Sequence, residues 1–259
     1  MLRLNYTDLL NKEAWNDKDI KLPNFDPTVI KRKTMDSPKW VHFGAGNIFR
    51  AFIASCQDEI INKGLSNTGI IAVETYDEEL IDKIYRPHNN LALVTTLKET
   101  GEISNEVVAS VVASLKGSDD FEQLINIFGT PDLQMVSFTI TEKGYAVRDN
   151  DGEFFKVIKE DLDNNAQPKH IMAMITSLLF HRYKNGGQPI TLVSMDNCSH
   201  NGDKLKASII DIANEYCIKG SVDNGFLEYL QDKGKVAFPL SMIDKITPRP
   251  SEAIADKLK

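Results

Sequence analysis

The chain has 259 residues, 42% hydrophobic and 26% charged, with a net charge of −7. That length accommodates one large α/β domain or two small ones around a sizeable core, and no apolar run is long enough to span a membrane. With no basic run beyond Lys31-Arg32-Lys33, a nucleic-acid surface is excluded and a small molecule is the expected partner.

Residues 1–38 are polar and interrupted by Pro23, Pro27 and Pro38, which predicts an extended N-terminal arm. The leading MLRLNYTDLLNKEAW lacks the order of a signal peptide, so a cytoplasmic protein is expected. Trp40, Val41 and Phe43 then predict a short buried strand, and Gly44, Ala45 and Gly46 a tight turn. Ile48, Phe52, Ile53, Cys56, Ile60 and Ile61 recur at three and four residues, the pattern of a helix with one apolar face. A strand, a glycine turn and a helix start bring free N–H groups and the positive helix end together, where a pyrophosphate can sit. Gly44, Ala45, Gly46, Asn47 and Ile48 are therefore the candidate cofactor residues, with an ordinary strand-to-helix turn as the alternative. A complete dinucleotide fingerprint would have glycine at position 49. Phe49 predicts a wider approach of helix to strand, or a side chain that fills the gap.

Gly69 to Glu74 reads as a second parallel strand. An acidic residue at the end of such a strand accepts hydrogen bonds from the adenosine ribose, which nominates Glu74, with Asp77 as alternate. A carboxylate there repels a 2′-phosphate and favours NAD over NADP. Leu91 to Leu97 and Val107 to Leu115 predict an antiparallel pair turning at Gly101. A helix over 121–128, ended by Pro131, leads to a strand over 133–140 and directly into Thr141-Glu142-Lys143-Gly144-Tyr145. Next come a polar loop, a short strand EFFKVI, a helix over 169–183, a strand over 189–195, a helix over 203–216, the strand VAFP and SMIDKITPRP. The class is α/β, a Rossmann-like mostly parallel sheet flanked by helices, with an added antiparallel pair.

Ligands in such sheets bind beyond the carboxyl ends of the strands. That selects 44–47, 141–145, 196–201 and 241–247, four polar-rich stretches expected as loops. Within the third, Cys198 and His200 offer a thiol nucleophile with its base or, with Asp196, a metal set, but no further ligand or positioned base is signalled. Ser199 or Asn201 as helix caps explains much of the same pattern. Three widely spaced cysteines without C-x-x-C argue for reduced thiols and no structural zinc. Tyr229 and Lys233 match the pair of short-chain dehydrogenases without that family's glycines, while His42, His88, His170 and His181 show no partner pattern. The amide of Asn197 suits the chemistry better, because a neutral N–H donor can hold a carbonyl oxygen and the alkoxide developing on it.

In order and spacing, GAGNIFRAF, SFTITEKGY, SMDNCSHNG and FPLSMIDKITP resemble the polyol-specific long-chain (mannitol) dehydrogenases, a family that includes fructuronate reductase. The resemblance spans roughly residues 39–250. It implies an NAD-binding Rossmann-like domain that serves hydride transfer between a keto-sugar acid or ketose and its reduced partner. By motif position it puts Gly44, Gly46 and Asn47 at the pyrophosphate, Thr141 and Glu142 beside the cofactor, Asn197 at the reacting oxygen and Asp244 near the catalytic base. Phe49 stands where relatives often carry His. Lys143 is a cation suited to a sugar-acid carboxylate, with a solvated lysine as the alternative. The family's proton-transfer lysine lies in K-x-x-x-x-N-x-x-H on a helical C-terminal domain, and nothing here matches it. Three segments are therefore expected: 1–38 an arm, 39–250 the NAD-binding domain, and 251–259 the start of that further domain. A non-catalytic dinucleotide-binding or sensing domain is the other reading.

Overall fold

Short runs of Val, Ile and Phe alternate with helical periods along most of the chain, and a parallel sheet buried on both faces is how such a sequence hides them. The computed structural model describes residues 2–163, 167–244 and 247; positions 245–246 and 248–250 of the fourth motif and the 251–259 segment lie outside the described residues. The strands are β1 (Ile20–Lys21), β2 (Trp40–Phe43), β3 (Ile70–Glu74), β4 (Ala92–Leu97), β5 (Ile103–Val108), β6 (Val111–Lys116), β7 (Met135–Phe138), β8 (Ile190–Ser194) and β9 (Val236–Ala237). Six of them form a parallel sheet in the order β6-β3-β2-β7-β8-β9. From β2 the chain builds outward through β3 and β6, then returns to start the other half at β7. The strand order thus reverses between β2 and β7, the position where open α/β sheets bind ligands.

The helices are α1 (Lys12–Asn16), α2 (Pro27–Asp36), α3 (Ala54–Asn62), α4 (Phe121–Gly129), α5 (Thr141–Tyr145), α6 (Lys156–Asp163), α7 (Ile171–Lys184), α8 (Asn201–Ile218) and α9 (Asn224–Gln231). Phe43, Val73, Leu124, Phe138, Ile175, Leu192 and Ile209 belong to the main core on one side of the sheet. Ala45, Phe49, Ile70, Ala72, Tyr85 and Val108 form the core on the other. A three-stranded sheet, β1-β5-β4, joins that second side; β4 and β5 are antiparallel and β1 runs parallel to β5. Among the described residues no helix is long and apolar enough to cross a membrane.

The Rossmann-like α/β fold with its antiparallel pair is as expected, but four local expectations fail. Residues 1–38 are not an extended arm. Pro27 opens a ten-residue helix from the first position, where its missing N–H costs nothing, and Asp26 caps it by accepting from Thr28 N–H at 2.8 Å. Val107 to Leu115 is not one strand either: it breaks at Ala109-Ser110, and the second half, β6, pairs with β3 in the large sheet. The break is held from α3, where the Asp58 carboxylate accepts Ala109 N–H at 2.7 Å and the Ala54 carbonyl accepts the Ser110 hydroxyl at 2.6 Å. EFFKVI contributes a single bridge, Phe154 to Arg148, before turning into α6. TEKGY, expected as loop, forms one helical turn.

Candidate functional site

The glycine turn leaves β2 with Gly44 at φ +101°, a conformation that L side chains rarely adopt. A Cβ there would stand 2.1 Å from the Thr139 carbonyl oxygen, so glycine is required twice over. Gly46 differs: an added Cβ meets nothing within 4 Å, which leaves an open approach to the backbone at the helix start. The chain becomes helical at Asn47 and passes through a π-helical turn, Phe49–Ile53, into α3. Phe49 fills the gap that glycine would have closed. It is fully buried and stacks on His42 with ring centroids 4.1 Å apart.

His42 is a core residue whose bonds shape the turn. Burial pushes its pKa down to about 3, so the ring is neutral. Trp40 Nε1–H donates to Ser137 Oγ at 2.7 Å, His42 Nδ1 lies 2.6 Å from that oxygen, and His42 Nε2 lies 2.9 Å from Thr139 Oγ1. Thr139 Oγ1–H in turn donates to the Gly44 carbonyl at 3.0 Å. One assignment satisfies all four contacts: Ser137 donates to Nδ1, and the ring proton sits on Nε2 and is given to Thr139. The buried row ends on the glycine turn.

Glu74, nominated for the ribose, is also turned to the backbone. It is 9% exposed, and its carboxylate accepts Ala45 N–H at 2.9 Å and the N–H groups of Thr75 and Tyr76 at 3.0 Å each. The alternate, Asp77, is exposed in a cleft of about 720 Å³ beyond the carboxyl ends of β3 and β6, lined also by Thr75, Tyr76, Glu78, Glu79 and Ser118. On the other side of the turn Tyr85 donates its hydroxyl to the Ala45 carbonyl at 2.8 Å, and Arg50 lies over the Tyr85 ring and donates to Asn47 Oδ1.

The second and third stretches are fastened by Asp196, expected above only as a metal ligand. Its carboxylate accepts Ile140 N–H and Thr141 N–H at 2.9 Å each, and the Tyr145 hydroxyl at 2.6 Å. Tyr145, 2.7 Å from Ser194 Oγ as well, has its pKa raised by burial and then by the Asp196 charge. Thr141 stands at φ +66°, a strained position for a β-branched residue, and the Asp196 bond holds it there. Asn201, 1% exposed, joins the third stretch to the fourth. Its Nδ2 donates to the carbonyls of Asp196 (3.1 Å) and Ser241 (3.0 Å), and its Oδ1 accepts Ser241 N–H at 3.2 Å. Gly202 lets the segment after β9 lie against the start of α8, since a Cβ there would be 2.5 Å from the Pro239 carbonyl oxygen.

All four stretches are therefore linked in one row, from Gly44 through Thr139 and Thr141 to Asp196, Asn201 and Ser241. Asn197, Lys143 and Asp244 are exposed along it, and Glu142 pairs with Lys204 of α8. Cys198 is half-buried with its thiol pKa raised by burial, and exposed His200 lies 3.1 Å from Asp203. With Asp196 turned to backbone, no group of three metal-ligating side chains forms among the described residues. Tyr229 is buried at the amino end of β8 and donates to the Gln188 carbonyl at 3.0 Å, so it has no part in this row. Asp196 is expected as a metal ligand and Asn201 as a helix cap, but Asn201 is the first residue of α8 and both hold backbone instead, while Tyr145 has no expected role; a carboxylate and an amide soon after a buried strand are the available signal.

A glycine turn at the reversal point of a parallel sheet, open at Gly46, defines a dinucleotide-binding α/β domain. The chain belongs to the mannitol dehydrogenase Rossmann domain family, whose model matches residues 38–259. It is 42% identical to the D-mannonate oxidoreductase of Thermotoga maritima, over all of this chain and 48% of that one. It is 28% identical to the polyol:NADP oxidoreductase of Gluconobacter oxydans, over 93% of this chain and 48% of that protein. A solved structure, Pseudomonas fluorescens mannitol 2-dehydrogenase in ternary complex with NAD and D-mannitol, superposes with a TM-score of 0.78 at 27% identity, covering 93% of this chain and 47% of that one. The chain spans about half the length of the relatives it matches.

Proposed function

We propose that this chain binds NAD and forms the cofactor half of an oxidoreductase that interconverts a keto-sugar acid or ketose with its reduced partner, fructuronate and mannonate ahead of fructose and mannitol. The row of hydrogen bonds joining the four stretches at the strand reversal carries the reading, supported by the family and by the mannonate oxidoreductase relative. NAD supplies or accepts the hydride. The open backbone at Gly46 and the N–H groups of Asn47 and Ile48 hold its diphosphate, beside Gly44 and Ala45. The ribose falls to exposed Asp77 more readily than to Glu74, whose oxygens already accept three N–H groups. Asp77, Glu78 and Glu79 in that cleft disfavour a 2′-phosphate, which favours NAD over NADP.

Thr141 and Glu142 border the nicotinamide side, and Asn197 donates to the oxygen that gains charge as hydride arrives. Asp244 lies toward the group that moves the proton, a lysine of a further helical domain, and Lys143 pairs with the sugar-acid carboxylate. A reducing, cytoplasmic setting suits this chemistry. Calorimetric titration of the 259 residues with NADH is expected to show one-site binding without normal turnover of fructuronate. Absence of binding counts against the cofactor reading, and turnover at full-length rates counts against a separate proton-transfer domain.

A further inference from the structure

We propose that Arg50 is a positioning residue that locks the Asn47 amide with its NH2 group turned to the diphosphate of the dinucleotide. The inference rests on the cofactor reading above and adds a residue to it. A guanidinium only donates, so the Asn47 atom that meets Arg50 is Oδ1, and the amide cannot be flipped. Nδ2 and its two protons are left for something else, at the first helical residue, next to the open space over Gly46. Arg50 is itself held in place. Its guanidinium carbon lies 5.7 Å from the centre of the Tyr85 ring, and Tyr85 donates to the Ala45 carbonyl, so cation, ring and glycine turn form one block.

Among the described residues, Arg50 Nη1 is the one buried side-chain nitrogen or oxygen without a hydrogen-bond partner. A charged donor sealed away from any acceptor weakens the folded state, and a methionine of similar length would fill the same space without that penalty. A side chain kept only for packing would not be an arginine.

Four forms separate the possibilities: the unsubstituted chain, Arg50→Met, Asn47→Ala and the double variant, each titrated with NADH and with ADP-ribose, which carries the diphosphate without nicotinamide. Each single substitution is expected to weaken both ligands about tenfold, and the double variant no more than either single one, since both act through one amide. The melting temperature of Arg50→Met is expected to be unchanged or higher, which a structural role would not allow. Asn47→Asp supplies a control that folds independently of the Arg50 change. It keeps an acceptor for Arg50 but has no NH2 group, and is expected to weaken NADH at least as much as Asn47→Ala without a lower melting temperature. Unchanged affinity in Arg50→Met, losses that multiply in the double variant, or tight binding by Asn47→Asp would each overturn the inference. If the unsubstituted chain itself fails to bind NADH, the cofactor reading falls and this inference falls with it.

Discussion

The two ends of the parallel sheet solve the same problem with opposite charges. At the amino end, Arg182 is 1% exposed and donates all five of its N–H groups to backbone carbonyls, those of Phe128, Thr130, Leu133, Gln188 and Pro189, at 2.7 to 2.9 Å. At the carboxyl end, Glu74 and Asp196 each accept three hydrogen bonds, mostly from backbone N–H groups, and Asn201 bonds in both directions. What differs is the neighbourhood. Around Arg182 the donors and acceptors are matched; beside Asp196 and Glu74 the chain leaves Gly46 open and Asn197, Lys143, Asp77 and Asp244 exposed. A buried ionic residue therefore does not mark the site; the open backbone and exposed side chains beside it do.

The largest expected effect breaks the amino end alone. Arg182→Met takes a partner from five backbone carbonyls, those of Phe128 and Leu133 in the core, and should cost about 4 kcal/mol, a fall of roughly 10 °C in melting temperature by calorimetry, with NADH affinity unchanged in the fraction still folded. Gly44→Ala comes next, since it meets both the Thr139 carbonyl and an unfavourable φ; a loss of about 2 to 4 kcal/mol in urea unfolding is expected. Asp196→Asn should cost about 1 to 3 kcal/mol, because an NH2 group then faces the N–H of Ile140 or of Thr141 wherever the amide is turned. Its Thr141 strain would relax, so turnover in an enzyme carrying this domain should fall further than stability does. Gly46→Ala reverses the pattern: stability within about 0.5 kcal/mol of the parent and NADH binding weakened about tenfold. If Gly46→Ala unfolds the chain or leaves NADH binding intact, the contrast between the ends is lost.

Much of the large sheet could be read from β-branched runs, since strands such as β3, buried along their whole length, carry continuous apolar sequence. The failures share a cause. Pro27 reads as a breaker until Asp26 is seen to cap it, and Val107 to Leu115 reads as one strand until Asp58 and Ser110 bind the chain at its middle. Both depend on side chain to backbone bonds that periodicity does not report. The same holds at the site. Gly44 and Gly46 look alike in sequence, yet one is demanded by Thr139 and the other stands open. Glu74 reads as a ligand residue because its place along the strand is right, while its oxygens face the chain.

The smallest expected effect tests whether an exposed cation at the carboxyl end has a task. Lys143 is on the single turn of α5, two residues after strained Thr141, so its backbone is held by the Asp196 bond although its side chain is in solvent. A pair between this ammonium and a substrate carboxylate would form at the mouth of the site, half screened by water. That limits it to about 0.5 to 1.5 kcal/mol, or roughly a 2- to 10-fold change in KM. Lys143→Gln in an enzyme carrying this domain should therefore raise KM for fructuronate by that factor, leave KM for uncharged fructose alone, and lose its effect as ionic strength rises. Equal changes for both sugars would make Lys143 a solvated surface residue, and the preference for an acid substrate would then have to come from groups outside this domain.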